Sequence, residues 1–207
     1  MRNFIINNCM SYIKRNNDYN AIKLKEIEYG LVGIYLTISK VIIIFVLAIL
    51  LNIFKEVLIF MIFFNIIRTT AFGLHATKSW ICLVSSTISF IGIPLICIYI
   101  SVDNYLKVII GIICTILIFK NSPADTYKRP IINKKRRLIY KTLSTIISTI
   151  YFCIAIIIND SFISNCLIFS IILECFFISP LIYKLFKLPY NNYISYIEKH
   201  PELINKV

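Results

Sequence analysis

The sequence predicts an all-α integral membrane protein with about six transmembrane helices, two of them short or re-entrant, and both termini in the cytoplasm. Its composition, its apolar runs and the placement of its basic residues carry that prediction. Of 207 residues, 58% are hydrophobic and 15% charged, whereas soluble domains carry about a quarter charged residues. Mean hydropathy is +0.80.

Apolar runs occupy 34–54, 56–67, 80–100, 105–119, 142–158 and 162–183. A spanning helix needs about 20 apolar residues, with about 17 a practical minimum. Four runs meet that length; 56–67 and 105–119 are short and fit tilted neighbours, half-helices or re-entrant segments lined by protein. With six spans and an inner N-terminus, 19 of the 22 basic residues fall on the inner side. Only Lys55 and Lys107 fall outside, and Lys40 lies in the first span. That asymmetry is the positive-inside pattern, and it explains the net charge of +12 without nucleic acid as a partner. If 56–67 did not cross, the basic stretch KNSPADTYKRPIINKKRR would lie opposite the basic N-terminus, so a crossing is expected.

No run is long enough to bury a separate globular core, so a single membrane domain over 1–207 is expected. It divides into a cytoplasmic or interfacial segment (1–33), a polar segment at the inner interface (68–79), a basic cytoplasmic loop (120–141) and a cytoplasmic tail (184–207). The N-terminus lacks an apolar stretch followed by a cleavage site, so the first spanning helix acts as the insertion signal. Residues 4–13 have helical apolar spacing that suits either an interfacial helix or a disordered tail. The outer connections, near Lys55-Glu56, Ser101–Asn104 and Asn159–Ser161, are tiny, so any chemistry should face inward. The seven cysteines lie mostly in apolar runs and include no CxxC pair, so no disulfide framework, metal or cofactor is expected.

Arg68-Thr-Thr-Ala-Phe-Gly-Leu-His75-Ala-Thr-Lys-Ser-Trp-Ile-Cys82 places one of two histidines seven residues before a cysteine, at the inner boundary of the third span. A cysteine nucleophile reacts as its thiolate, and an imidazole can take the thiol proton and return one to the leaving amine. On one straight helix the two side chains would stand about 10 Å apart along the axis at 1.5 Å per residue. Direct contact requires the backbone to break before the third span, and Gly73 permits that. Taken alone the pair also fits a solvated histidine and a packing cysteine.

The whole segment resembles the signature of the AgrB family: an arginine, a glycine-rich turn, His-Ala and then a cysteine. Ser122-Pro-Ala-Asp-Thr126 with the following lysine-arginine run resembles a second hallmark, and Glu28-Tyr-Gly30 leading into the first span is also similar. The resemblance covers nearly the whole chain and departs at Phe72, where the family pattern has the first of two glycines. It implies a cysteine endopeptidase of the bacterial cell membrane with its active site toward the cytoplasm. Cys82 would be the nucleophile and His75 the general base, supported by Arg68 and Gly73. The implied substrate is an AgrD-like propeptide with an amphipathic N-terminal helix, a central cysteine-bearing signal for quorum sensing and an acidic tail. A homodimer is implied by the resemblance alone, and membrane lipid is the other expected partner.

Lys134, Lys135, Arg136 and Arg137 would attract that tail, although topology also accounts for them. Asp125 either orients His75 as a third catalytic member or caps a helix after the Pro123 turn. Glu174, read as near the middle of the last span, is an intramembrane carboxylate with either a functional or a neutral structural role. Lys40 can snorkel to the inner interface, and His200 falls on the polar tail. The competing function is a small transporter or exporter with Lys40 and Glu174 lining its path; a non-catalytic membrane scaffold is a third reading.

Overall fold

The computed structural model describes residues 2–74, 79–126 and 130–199. It contains helices α1 (Arg2–Asn16), α2 (Ala21–Leu50), α3 (Phe54–Ala71), α4 (Ser79–Tyr99), α5 (Asn104–Asn121), α6 (Lys134–Ile157), α7 (Ser161–Ile178), α8 (Pro180–Leu185) and α9 (Asn192–Lys199). The protein is an all-α integral membrane protein: α2, α4, α5, α6 and α7 are each long and apolar enough to cross a membrane. Eighteen-residue α3 carries Lys55, Glu56 and Arg68 in its terminal turns.

The two short apolar runs lie within continuous 18-residue helices, α3 and α5, each about 27 Å long at the standard helical rise. Polar residues at both ends extend them beyond the apolar stretch. The expected outer connections are partly absorbed in the same way. Lys55 and Glu56 belong to the first turn of α3. Lys107 is buried in α5, where its ammonium donates to Ser164 Oγ at 2.7 Å. Asp103 and Asp160 cap α5 and α7 by accepting from Tyr105 N at 3.2 Å and Ile163 N at 2.9 Å. Such side-chain acceptors satisfy amides that a helix start leaves unpaired.

The backbone groups into two compact units, Met1–Asn52 and Ile53–Val207. In the first, α2 starts 13 residues before the apolar run at 34, because Asn20 Oδ1 accepts from Lys23 N at 2.8 Å and caps a helix there. Lys40 is half-buried within α2. Residues 4–13 lie inside α1, which packs on α2.

In the second unit α7 is the central helix. Half of its apolar window is buried, against 17–22% for α4, α5 and α6. It packs against all three and against α3, which explains an apolar sequence with no polar face. Small and polar side chains lie at the helix contacts. Ser122 and Ser144 hydroxyls meet at 2.6 Å, Thr115 and Ser148 at 3.0 Å, and Ser164 Oγ donates to Ala155 O at 2.5 Å. Ser144, Ser148, Tyr151 and Ala155 form the buried face of α6, while Ile146, Ile150, Ile154 and Ile157 are exposed. Small or hydroxylated residues inside and branched apolar residues outside suit helices packed in lipid.

The last apolar run, 162–183, is divided between α7 and α8 at Ser179-Pro180. Pro180 cannot continue α7, because its ring clashes with the preceding turn and it lacks an amide donor; it instead opens α8. This places Glu174 one turn from the C-terminal end of α7 rather than near mid-span. The region expected as a cytoplasmic tail includes the last two residues of α8 and all of α9, and it docks onto the loop between α5 and α6.

Candidate active site

One end of the second unit is built from the C-terminal turns of α3, α5 and α7, the segment 72–74 and the loop 122–126. α3 stops at Ala71 because Phe72 and Gly73 both take positive φ, 61° and 110°. Gly73 N donates to Ala124 O at 2.8 Å, Ala124 N to Ala71 O at 3.0 Å and Leu74 N to Phe177 O at 2.9 Å. The Ser122–Pro123 peptide in the facing loop is cis. The chain leaving α3 is thus clamped between two other elements.

Arg68 completes the clamp from inside. Its Nη1 donates to Phe72 O and lies 3.3 Å from Glu174 Oε1; its Nη2 donates to Leu74 O at 2.6 Å. The guanidinium also faces the Phe177 ring, 4.9 Å from the centroid. The Arg68 side chain is 16% exposed and that of Glu174 is fully buried, so each charge has a counter-charge where a lone ion would be costly. Gly73 cannot be replaced without disturbing this arrangement, since a Cβ there would meet the Arg68 guanidinium and lie 2.8 Å from Phe177 O.

Phe72 occupies a backbone region where a side chain is strained, and its ring stands edge-on to Tyr140 at 4.9 Å. The strain is about 1–3 kcal/mol and an aromatic pair contributes roughly 0.5–1.5 kcal/mol. Phe72→Ala loses the ring and keeps the strain, whereas Phe72→Gly loses the ring and relieves it. Thermal denaturation in detergent should rank Phe72→Gly above Phe72→Ala; the reverse order would contradict the strained assignment.

Asp125 turns toward the C-terminal segment. Its Oδ1 accepts from Asn192 N at 3.1 Å and its Oδ2 from Tyr193 N at 2.9 Å, so it caps α9, 67 residues further on, rather than a helix following Pro123. Arg137 Nη1 lies 3.6 Å from Oδ2, and its guanidinium stacks 3.5 Å from the Tyr193 ring centroid. Burial pushes the Asp125 carboxyl above the usual carboxylate range, against the pull of Arg137 and of the Tyr193, Asn192 and Ile131 amides. Tyr183 donates to Asp125 O at 3.2 Å and Tyr190 to Asn121 O at 3.4 Å, and burial pushes both phenols up.

Lys134, Lys135, Arg136 and Arg137 form the first turn of α6 rather than a loop, because Asn133 Oδ1 accepts from Arg136 N at 3.0 Å and starts the helix there. Cations oppose the dipole at a helix N-terminus. Lys134, Lys135 and Arg136 are exposed, while Arg137 is engaged by Asp125.

Cys82 is half-buried in the first turn of α4, where its carbonyl accepts from Ser85 Oγ at 3.3 Å. Its neighbours Ile81 and Leu83 are half-buried and Trp80 is exposed. His75 and His200 lie outside the described residues. The structure therefore brings together Arg68, Gly73 and Glu174 in one cluster and Asp125 and Arg137 in a second, linked through Ala124. Sequence reasoning missed the Arg68–Glu174 pairing and the docked α9. A signal for the first was present: an arginine and a glutamate each within an apolar helix need counter-charges.

These features define a polytopic α-helical membrane protein whose polar groups converge on a pinned turn just before a cysteine-bearing helix. The sequence matches the family Accessory gene regulator B over residues 6–178. It is 31% identical over 176 residues to an AgrB-like protein of Clostridium acetobutylicum, covering 85% of this chain and 84% of that protein. It is 29% identical over 177 residues to accessory gene regulator protein B of Staphylococcus aureus strain MRSA252, covering 84% and 92%. The counterpart in S. aureus strain Newman is 30% identical over 175 residues, covering 84% and 90%. The chain belongs to the accessory gene regulator B (AgrB) family. No solved structure matches it.

Proposed function

We propose that this chain is a membrane-embedded cysteine endopeptidase that removes the C-terminal tail of an AgrD-like propeptide and closes the remaining peptide into a thiolactone for quorum sensing. The supporting observation is the interruption before α4: the helix ends at Ala71, and Arg68 pins the carbonyls of Phe72 and Leu74, shortly before His75 in the chain. A continuous helix would hold His75 and Cys82 about 10 Å apart.

In this mechanism His75 takes the Cys82 thiol proton and the thiolate attacks the carbonyl carbon of the bond before the tail. The C–N bond breaks, His75 returns the proton to the departing amine, and the peptide stays on Cys82 as a thioester. The peptide's own cysteine then loses its proton to His75 and attacks that thioester. The proton passes to the released Cys82 sulfur, the ring closes, and no water is consumed. Exchange of one thioester for another is nearly isoenergetic, so exclusion of competing water decides the product. Ile81 and Leu83 beside Cys82 serve that exclusion. Exposed Lys134, Lys135 and Arg136 attract the acidic tail, and a cytoplasmic-facing site in the bacterial cell membrane accords with the basic inner surface. The transport reading needs Glu174 to line a path, yet its side chain is fully buried against Arg68.

The test is co-expression with a cysteine-bearing, acidic-tailed propeptide, followed by mass. Loss of a general base lowers such rates about 10²–10⁴-fold, so His75→Ala should be slowed on that scale and Cys82→Ser should leave the tail in place. Tail removal by Cys82→Ser at the wild-type rate would refute the nucleophile.

A further inference from the structure

We infer that Glu174 is a positioning residue, which acts through Arg68 to hold the backbone immediately before His75. This rests on the endopeptidase reading and adds to it a residue outside the His-Cys segment, 106 positions beyond Arg68. The geometry has three parts. Glu174 is fully buried on α7 and one of its oxygens meets Arg68 Nη1 at 3.3 Å. Its second oxygen is buried and has no hydrogen-bond partner among the described residues. Arg68 in turn donates from Nη1 to Phe72 O and from Nη2 to Leu74 O.

Two neutral carbonyls satisfy donors of the guanidinium but leave its charge uncompensated, and a long, flexible arginine on a helix end can instead carry its head to the membrane surface. The buried carboxylate makes the inward arrangement the stable one. It accepts the desolvation of its own second oxygen as a consequence of lying inside α7, where water does not compete for Arg68. Glu174 thus keeps Arg68 turned inward, and Arg68 keeps residues 72–74 closed against Ala124 and Phe177. The acidic-tail contacts on α6 are separate from this chain of interactions, so its loss should act on turnover and spare substrate affinity.

The experiment uses the full chain in membranes at matched levels, comparing wild type, Glu174→Gln, Glu174→Asp, Arg68→Gln and the Arg68→Gln/Glu174→Gln double variant. Amide exchange at Gly73 and Leu74 reads the clamp without any peptide present, and tail removal reads its consequence. The expected results are faster exchange in Glu174→Gln, a fall in kcat of at least tenfold with KM little changed, and partial recovery in Glu174→Asp. The double variant should be no slower than Arg68→Gln alone. Unchanged exchange in Glu174→Gln overturns the inference, as does a further loss on adding Glu174→Gln to Arg68→Gln, which would show that Glu174 acts independently. If Glu174→Gln does not accumulate, Glu174→Asp decides by the same two readouts, placed between wild type and Arg68→Gln if the inference holds and equal to wild type if it fails. Failure of the endopeptidase reading shows separately, as tail removal that survives Cys82→Ser, while the exchange result still reports on the clamp.

Discussion

Replacing Gly73 with alanine is expected to leave the protein in the membrane and stop it processing a propeptide. At φ 110° an L side chain is strained, which alone costs on the order of 1–3 kcal/mol. The new Cβ also meets the Arg68 guanidinium and the Phe177 carbonyl, so the turn has to open rather than merely bend. Opening it breaks the Gly73–Ala124 and Leu74–Phe177 hydrogen bonds, each a net contribution of about 1 kcal/mol. Those bonds resist opening in wild type and variant alike, so the strain sets the shift, and about 3 kcal/mol of it corresponds to roughly a 100-fold smaller population of the closed turn. Gly92→Ala is the matching control, because a Cβ at that helical position has nothing within 4 Å; it should process normally. Tail removal per unit of membrane protein distinguishes the two, and normal processing by Gly73→Ala would show that the closed turn is not the active form.

Asp125→Ala should release the C-terminal segment. The substitution removes the acceptor for Asn192 N and Tyr193 N and the carboxylate beside Arg137. Loss of such a cap costs about 0.5–2 kcal/mol, and the deserted Arg137 adds to it. Even 1–2 kcal/mol multiplies the undocked fraction about 5–30-fold. Amide exchange at Asn192 and Tyr193 should rise accordingly, and the loop 122–126 should loosen with it. Since Ala124 accepts from Gly73 N, some loss of processing is expected to follow. Unchanged exchange at α9 would mean that Tyr183, Tyr190 and packing hold the segment without the carboxylate.

Membrane character was legible because apolar runs and charge asymmetry are long-range averages that no single residue can spoil. Helix limits were less so. The run beginning at 34 concealed a helix starting at Ala21, since a cap such as Asn20 is one residue and the amphipathic turns after it are not apolar. The reverse error occurred at Ser179-Pro180, where an unbroken apolar run hid a helix boundary. At the site, Gly73 was legible because only glycine accepts its conformation freely, and Phe72 departed from a glycine pattern at a position where the backbone still takes positive φ. That Arg68 and Glu174 each need a counter-charge was legible, but the identity of the partners of Arg68 and Asp125 was not. Glu174 and Asn192 lie 106 and 67 residues from them, and pairing at that range follows from helix packing, which periodicity does not report.

The central claim is that Cys82 carries the peptide as a thioester. The most direct measurement supplies the full chain with a propeptide whose own cysteine is replaced by alanine, so that ring closure cannot discharge the enzyme, and then determines the mass of the Cys82-containing fragment under mildly acidic conditions. The account predicts an adduct equal to the propeptide without its tail, attached at Cys82, released by hydroxylamine and lacking in Cys82→Ser. Release of the tail with no adduct at Cys82 would contradict it.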